Sequence, residues 1–435
     1  MKRVLNFAVQ WHITSVCPNH CLHCYMFDSN YQDILKNELN IEQQKIFLNT
    51  IKEFEEKYNV FIPTFALTGG DPLSKKGWFE LAKLLQEENR EIFFMGVPET
   101  LNSENIQKLT SLKVKRFQQS LDGLEETHDL IRGKGSFQRT IKGMEKLLSH
   151  GILPTIMFTL HEKNKDELIP LIRYLSTQIN RFAFAFDFVV CEGEKNFSST
   201  LLKSDVLNLF NEYIALKKEL ENKNGNIHLL EKSHLFAMYH ERQNSYFDSP
   251  ASNTYSRVGG CYNGFSSLAI LANGDVMACR RLNIVIGNLL SDSFEDVFLS
   301  HPLMKKFRRR EFYHDCGNCE HYLVCQGCPA VSYGDSGDMF AKPSFCFKEL
   351  LPQTNNKKNF SEPIPSPDFD CTPEEELLYI LKTMKNQAIL LQSKEFSPKD
   401  KYDIYRRIFS EKEKDDKILD VYRCFMKDAD VIKLK

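Results

Sequence analysis

Cys17, Cys21 and Cys24 lie in "VCPNHCLHC", a Cys-x3-Cys-x2-Cys spacing near the start of the chain. Thiolates at such intervals converge on one centre, and soft sulfur donors select zinc or iron–sulfur clusters. A structural zinc site closes its tetrahedron with four protein ligands. Three close cysteines instead suit a cubane cluster with one iron left open to a small molecule. Seven more cysteines crowd a later stretch: Cys261, Cys279, Cys316, Cys319, Cys325, Cys328 and Cys346. Two Cys-x2-Cys pairs among them would serve a zinc ribbon. Ribbon pairs usually stand about 15–20 residues apart, whereas five residues separate Cys319 from Cys325, and that spacing favours clusters. Of the other three, Cys191 closes a strand-like run, where it is a candidate ligand or active-site thiol as well as a small core filler. Cys371 and Cys424 suggest no role.

The elements that must position these thiols are legible as alternating strands and helices. Apolar strand-like runs occur at "FAVQWHIT", "VFIPTFALT", "EIFFMGV", "VKRFQQSL", "ILPTIMFTL" and "RFAFAFDFVV". Helical patterns such as "IEQQKIFLNTIKEFEEKY" and "RTIKGMEKLLSH" lie between them, the second stopped by Gly151. Six strand–helix repeats predict a parallel sheet rolled toward a barrel, with its chemistry at the carboxyl ends of the strands. The three close cysteines follow the first strand, which is that end. Residues from about Ser204 to Ser256 read as a helix and a connection, and "LPQTNNKKNFSEPIPSPDFD" reads as a linker. Beyond it, Thr372, Pro373 and Glu375 form one helix start, and Ser397 with Pro398 another.

Composition removes several function classes. With 56 Lys and Arg against 58 Asp and Glu, the net charge of −2 gives no electrostatic reason for nucleic acid or an anionic membrane. The basic run "KKFRRR", Lys305 to Arg310, reads as a solvated helix face. No stretch of about 18 apolar residues occurs. Asn6 and Gln10 interrupt the first apolar run, and no small-residue cleavage site follows. The expectation is a cytoplasmic protein without a membrane span, whose 13 cysteines serve metal centres rather than disulfides.

The cysteine loop, with Tyr25 directly after Cys24, resembles the signature of the radical S-adenosylmethionine (radical SAM) superfamily. The resemblance implies that Cys17, Cys21 and Cys24 hold a [4Fe-4S] cluster whose open iron takes the amino and carboxylate groups of S-adenosylmethionine. One electron then cleaves the sulfonium, and the 5′-deoxyadenosyl radical abstracts hydrogen. Further matches follow in order. "TGGDPL" sits where the family has Gly-Gly-Glu-Pro, which makes Gly69, Gly70 and Asp71 candidate cofactor contacts. "QSLDG" resembles the ribose and methionine contact segment and points to Ser120 and Asp122. "HDLIRGKGSFQRTIKGMEKL" follows the family pattern before the fourth helix, with Arg132 as the candidate grip on the methionine carboxylate through paired hydrogen bonds. Tyr25 completes the set.

The later cysteines are similar to the SPASM domain, the cluster-bearing extension of radical enzymes that modify peptides and proteins. Cys261, twelve residues, Gly274, four residues and Cys279 match its opening, and "CQGC" is one residue shorter than the family interval. The resemblance assigns auxiliary cluster II to Cys316, Cys319, Cys325 and Cys346, and auxiliary cluster I to Cys261, Cys279 and Cys328, one thiolate short. Three [4Fe-4S] clusters result. Sulfatase maturases carry an acid immediately after the Gly-x4-Cys cysteine; here that residue is Arg280, a permanent cation.

The expected architecture is therefore α/β: a partial (β/α)6 TIM-like barrel over 1–220, a bridging segment over 221–255, a SPASM domain over 256–350, a linker over 351–371 and a helical tail over 372–435. The expected activity is hydrogen abstraction from a ribosomally made precursor peptide, with thioether crosslinking of a cysteine-containing peptide leading. Carbon–carbon crosslinking and sulfatase-maturase-type oxidation are the alternatives, and a non-catalytic iron–sulfur or zinc scaffold is the alternative of another class. Expected partners are the precursor peptide, an electron donor such as flavodoxin or ferredoxin, and a separate peptide-recognition protein; neither nucleic acid nor membrane is expected.

Overall fold

A computed structural model describes residues 3–5, 7–26, 30–190, 201–223, 225–242, 261–322, 325–352 and 365–390. The six expected strands form β1 (Ala8–Thr14), β2 (Thr64–Gly69), β3 (Glu91–Met95), β4 (Arg116–Ser120), β5 (Leu153–Leu160) and β6 (Phe182–Phe188). All pair in parallel with their sequence neighbours. The run "VFIPTFALT" is split at Pro63, which has no N–H for a ladder. Val60–Phe61 therefore pairs with Arg3–Val4, outside the main sheet. A seventh parallel strand, β7 (Ile227–Leu229), joins β6 inside the stretch expected to be only a connection. Three residues are too few to show a period.

Strand alternation separates an outer face from a lumen. Val9, Trp11 and Ile13 are fully buried, while Ala8 and Gln10 are half-exposed. Trp11 packs on Phe47 of helix α1 (Ile41–Lys57), with ring centroids 4.3 Å apart. Asn40 and Gln43 start α1 with a reciprocal capping box. Helices α2 (Trp78–Glu87), α3 (Ser103–Ser111), α4 (Glu125–Arg132), α5 (Ser136–Ser149), α6 (Leu168–Gln178) and α7 (Lys203–Lys223) follow the strands in turn. Gly151 follows α5 with φ of 75°, the stop conformation that glycine adopts without a Cβ penalty.

The second cysteine region is stitched to the first by backbone hydrogen bonds. Its strands β8 (Ser267–Ile270), β9 (Asp275–Met277) and β10 (Val285–Asn288) extend the same sheet, because β8 pairs in parallel with β1. The order is β10-β9-β8-β1-β2-β3-β4-β5-β6-β7. On a flat sheet β9 and β6 would stand roughly 34 Å apart at strand spacing. Arg281, shortly after β9, nevertheless donates to the Phe188 carbonyl at the end of β6, at 3.1 Å. The sheet is thus curled into a partial barrel, and the cysteine-rich region leans across its mouth.

Two expectations need correction. "KKFRRR" is not a solvated face: Arg308 and Arg309 are each 1% exposed and flank Glu376, which is 0% exposed, at 3.0 and 2.8 Å. Further donors meet carbonyls, Arg308 Nε that of Gly264 at 2.6 Å and Arg309 Nη2 that of Asp368 at 3.0 Å, which is how buried guanidinium groups are tolerated. Glu376 belongs to α8 (Pro373–Leu390), capped by Thr372 and Glu375 as expected. The first part of the tail is therefore packed into the second region, with Leu377 and Ile380 buried, rather than appended to it. Ser397, Pro398, Cys191 and Cys424 lie outside the described residues.

Candidate functional site

The loop after β1 carries Cys17, Cys21 and Cys24, all partly exposed. Its base is pinned by the turn after β2: the Gly70 N–H donates to the Thr14 carbonyl and the Asp71 N–H to the Val16 carbonyl, both at 2.8 Å. A Cβ on Gly69 would run into the Thr14 carbonyl, and one on Gly70 into that of Val16. What approaches these glycines is the protein's own cysteine loop. Asp71, fully buried, turns inward and accepts from the Val97 N–H and the Ser74 hydroxyl, each at 3.1 Å. Burial raises its carboxyl above the usual range, against those hydrogen bonds. Its side chain is thus committed to joining the ends of β2 and β3. Glu38 supports the same loop, accepting from the Thr14 hydroxyl at 3.0 Å and pairing with Lys75 at 3.0 Å.

Arg132, the last residue of α4, meets the loop from the other side. Its Nη1 points at the Cys21 Sγ at 3.5 Å, and its Nε pairs with Asp122. Asp122 also meets His23 Nε2 at 3.1 Å and accepts from the Thr159 N–H at 2.8 Å. Burial alone would raise Asp122, but Arg132 and then His23 outweigh it and hold the carboxyl well below its usual range. His128 accepts the Asp122 N–H on Nδ1 at 3.1 Å, so its Nε2 carries the proton toward Ser136 at 3.2 Å. Ser120, half-buried at the end of β4, shares a lumen row with Met157 and Ala185. Tyr25 is covered by the Arg280 guanidinium at 4.7 Å, and Arg280 Nη2 donates to the Tyr25 carbonyl at 3.3 Å. Arg132 and Asp122 therefore meet the cysteine loop directly at Cys21 and His23, Tyr25 belongs to it, Ser120 lies in the lumen row, and the Asp71 carboxyl, though its charge reaches Cys17, is engaged by Val97 and Ser74.

The later cysteines sort into two groups. Gln326 and Gly327 both adopt positive φ, 59° and 76°, and this tight turn sends Cys325 and Cys328 in different directions despite their short spacing. Cys316, Cys319, Cys325 and Cys346 line one pocket with Lys348 and His321. Lys348 Nζ lies 3.5 Å from the Cys319 Sγ. Cys328 instead faces Arg281, whose Nη2 is 3.8 Å from its Sγ and 2.9 Å from Asp187. Arg281 feels the charges of Asp187 and of Cys328, Cys279 and Cys261, and Cys279 acts on Cys328 in turn. Arg281, Asp187, Lys348 and His23 were not singled out from the sequence. His23 inside "CLHC" and the paired arginines after Cys279 were the available signals.

The donor set fits clusters. Burial first, then neighbouring thiols, pushes Cys17 and Cys316 up to about 12, and Cys21, Cys325, Cys328 and Cys346 also upward. Such groups stay protonated alone and ionise when a metal supplies the compensating charge. Among the described residues no three Cys, His, Asp or Glu converge as the ligands of one ion do. A cluster takes one thiolate at each of several irons.

The radical SAM superfamily pattern matches residues 11–175, and an iron–sulfur cluster-binding domain of the SPASM type matches residues 261–320. The AdoMet-dependent heme synthase of Methanosarcina barkeri is 24% identical over 344 residues, covering 78% of this chain and 95% of that one. The sporulation killing factor maturation protein SkfB of Bacillus subtilis is 24% identical over 291 residues, covering 66% and 63%. Among solved structures, Streptococcus suis SuiB bound to its precursor peptide SuiA matches with a TM-score of 0.59 at 19% identity, covering 79% of this chain and 76% of that one.

Proposed function

This chain belongs to the radical SAM superfamily and carries a SPASM domain, and on that premise we propose that it matures a ribosomally made peptide by hydrogen abstraction. The observation that carries the reading is the cysteine loop at the mouth of a partial barrel, with a SPASM region leaning over the same mouth. Cys17, Cys21 and Cys24 would hold the radical cluster, Cys316, Cys319, Cys325 and Cys346 auxiliary cluster II, and Cys261, Cys279 and Cys328 auxiliary cluster I. When bound, the radical cluster and S-adenosylmethionine supply a 5′-deoxyadenosyl radical, which takes hydrogen from the substrate. The chain's own residues do the positioning. Arg132 presents a fixed charge beside Cys21 for the methionine carboxylate, and Asp122 holds that guanidinium in place. Ser120 lies at lumen level and Tyr25 walls the loop.

Thioether formation is the leading bond type, because auxiliary cluster I has three cysteines and a substrate thiolate is the soft donor that completes it. A second reading is a step of heme synthesis, favoured by the similarity to AdoMet-dependent heme synthases. The test is anaerobic turnover with cysteine-containing candidate precursor peptides and with an iron porphyrin. A mass change in the peptide, with 5′-deoxyadenosine formed, supports the first reading; a change only in the porphyrin replaces it with the second. Arg132→Ala is expected to weaken S-adenosylmethionine binding by at least about tenfold, measured by equilibrium titration.

A further inference from the structure

The end of β6 reaches both of the later cysteine groups. Phe188 stacks on Phe345, with ring centroids 3.9 Å apart, and Phe345 directly precedes Cys346 in the chain. The same strand end holds Arg281: its Nη1 donates to the Phe188 carbonyl at 3.1 Å, and its Nη2 pairs with Asp187 at 2.9 Å. Nη2 carries two N–H bonds, and its other neighbour is the Cys328 Sγ at 3.8 Å. Three contacts on two nitrogens of one planar fork leave it little freedom. Asp187 is ladder partner to Thr159, two residues beyond the row of Ser120, Met157 and Ala185, so the carboxylate that orients Arg281 stands at the mouth end of the lumen.

This arrangement differs from the other basic residues beside thiols. Arg132 faces Cys21 with the methionine carboxylate to hold, and Lys348 approaches Cys319 at 3.5 Å as a point charge on a flexible stem. Arg281 alone is fixed to a thiol by a barrel strand that lines the lumen. After Asp187, the charges that act on it are those of Cys328, Cys279 and Cys261, the three cysteines assigned to auxiliary cluster I. Adding one electron to a four-iron cluster adds one negative charge, and a hydrogen-bond donor fixed at a ligating sulfur favours that reduced form. The guanidinium is charged at every accessible pH, so its influence does not switch off. Asp187 opposes it, but the N–H meets the sulfur directly.

We propose that Arg281 is a positioning residue for electron transfer: held by Asp187 and the Phe188 carbonyl, it raises the reduction potential of auxiliary cluster I and equips that centre to take up an electron at the barrel mouth. The proposal rests on the assignment of cluster I to Cys261, Cys279 and Cys328, and it holds whether the substrate is a peptide or a tetrapyrrole.

The test is an anaerobic redox titration of the reconstituted holoenzyme followed by electron paramagnetic resonance, with the cluster I signal identified as the one lost in Cys328→Ala. In Arg281→Gln the ratio of oxidised to reduced cluster I at a fixed solution potential is expected to rise at least about tenfold, a fall of about 59 mV in midpoint for one electron. Arg281→Lys, which keeps the charge, should recover more than half of that shift. Lys348→Met is the control and should leave the cluster I midpoint where it is. An unmoved midpoint in Arg281→Gln, an equal shift of all the clusters, or no recovery in Arg281→Lys overturns the role of Arg281 while the cluster assignment stands. If no signal depends on Cys328 and full iron is kept in Cys328→Ala, the assignment falls and the proposal with it.

Discussion

A buried acid at the cysteine loop shows how much a single side chain does here. Asp122 satisfies Arg132, His23 and the Thr159 N–H together, so removing its charge leaves a guanidinium stranded beside Cys21. Asp122→Asn is expected to destabilise the protein by about 3–5 kcal/mol, the usual cost of breaking a buried ion pair, read from anaerobic urea unfolding. Next to it, burial lowers His128 to about 4, with Asp122 opposing. The folded state therefore holds a neutral imidazole, whereas the unfolded chain takes up a proton near the ordinary value of 6.5. Stability contributed by this residue is complete above about pH 6.5 and is lost as pH falls toward about 4. His128→Gln removes the titration, so the gap in unfolding free energy between wild type and variant should shift by up to about 3 kcal/mol over that interval. A constant gap would mean that His128 is not held neutral. None of this network could be read from spacing alone: "QSLDG" pointed to Asp122, but its partners are brought together only by the ends of β4, β5 and α4.

At the scale of elements, the turn after β2 is the support of the cysteine loop. The methyl group introduced by Gly70→Ala would meet the Val16 carbonyl and push the loop off the strand ends. The expectation is a folded protein that loses the radical cluster and keeps the others, with iron falling from about twelve to about eight per chain if three four-iron clusters are present. Gly225→Ala, at a glycine with open space around it, is the control and should keep full iron. An unchanged iron count in Gly70→Ala would show that the loop does not depend on this turn. The strands themselves were legible because six long apolar runs alternate with helical patterns. β7 was missed for its shortness, and the split at Pro63 follows from a missing N–H.

For the whole molecule, the cysteine pattern was readable because ligand spacing is local, and the turn at Gln326 and Gly327 explains how a shortened interval still divides its two thiols between two groups. The buried charges were not readable. "KKFRRR" looks solvated because its partner, Glu376, lies far along the chain and becomes an anion between two guanidiniums only after folding. Distance along the chain has a further consequence at β1. Ala8 has its ladder partner at Ser267 on one side and Thr64 on the other, so during synthesis the first strand keeps one bare edge until more than half the protein has left the ribosome. An unpaired edge of this kind is a template for joining other chains. A fragment ending at residue 220 would hold the early strands but never receive β8, and is expected to self-associate through β1. Sedimentation of that fragment beside the full chain measures it, and a monodisperse monomeric fragment would show that the edge is protected by other means.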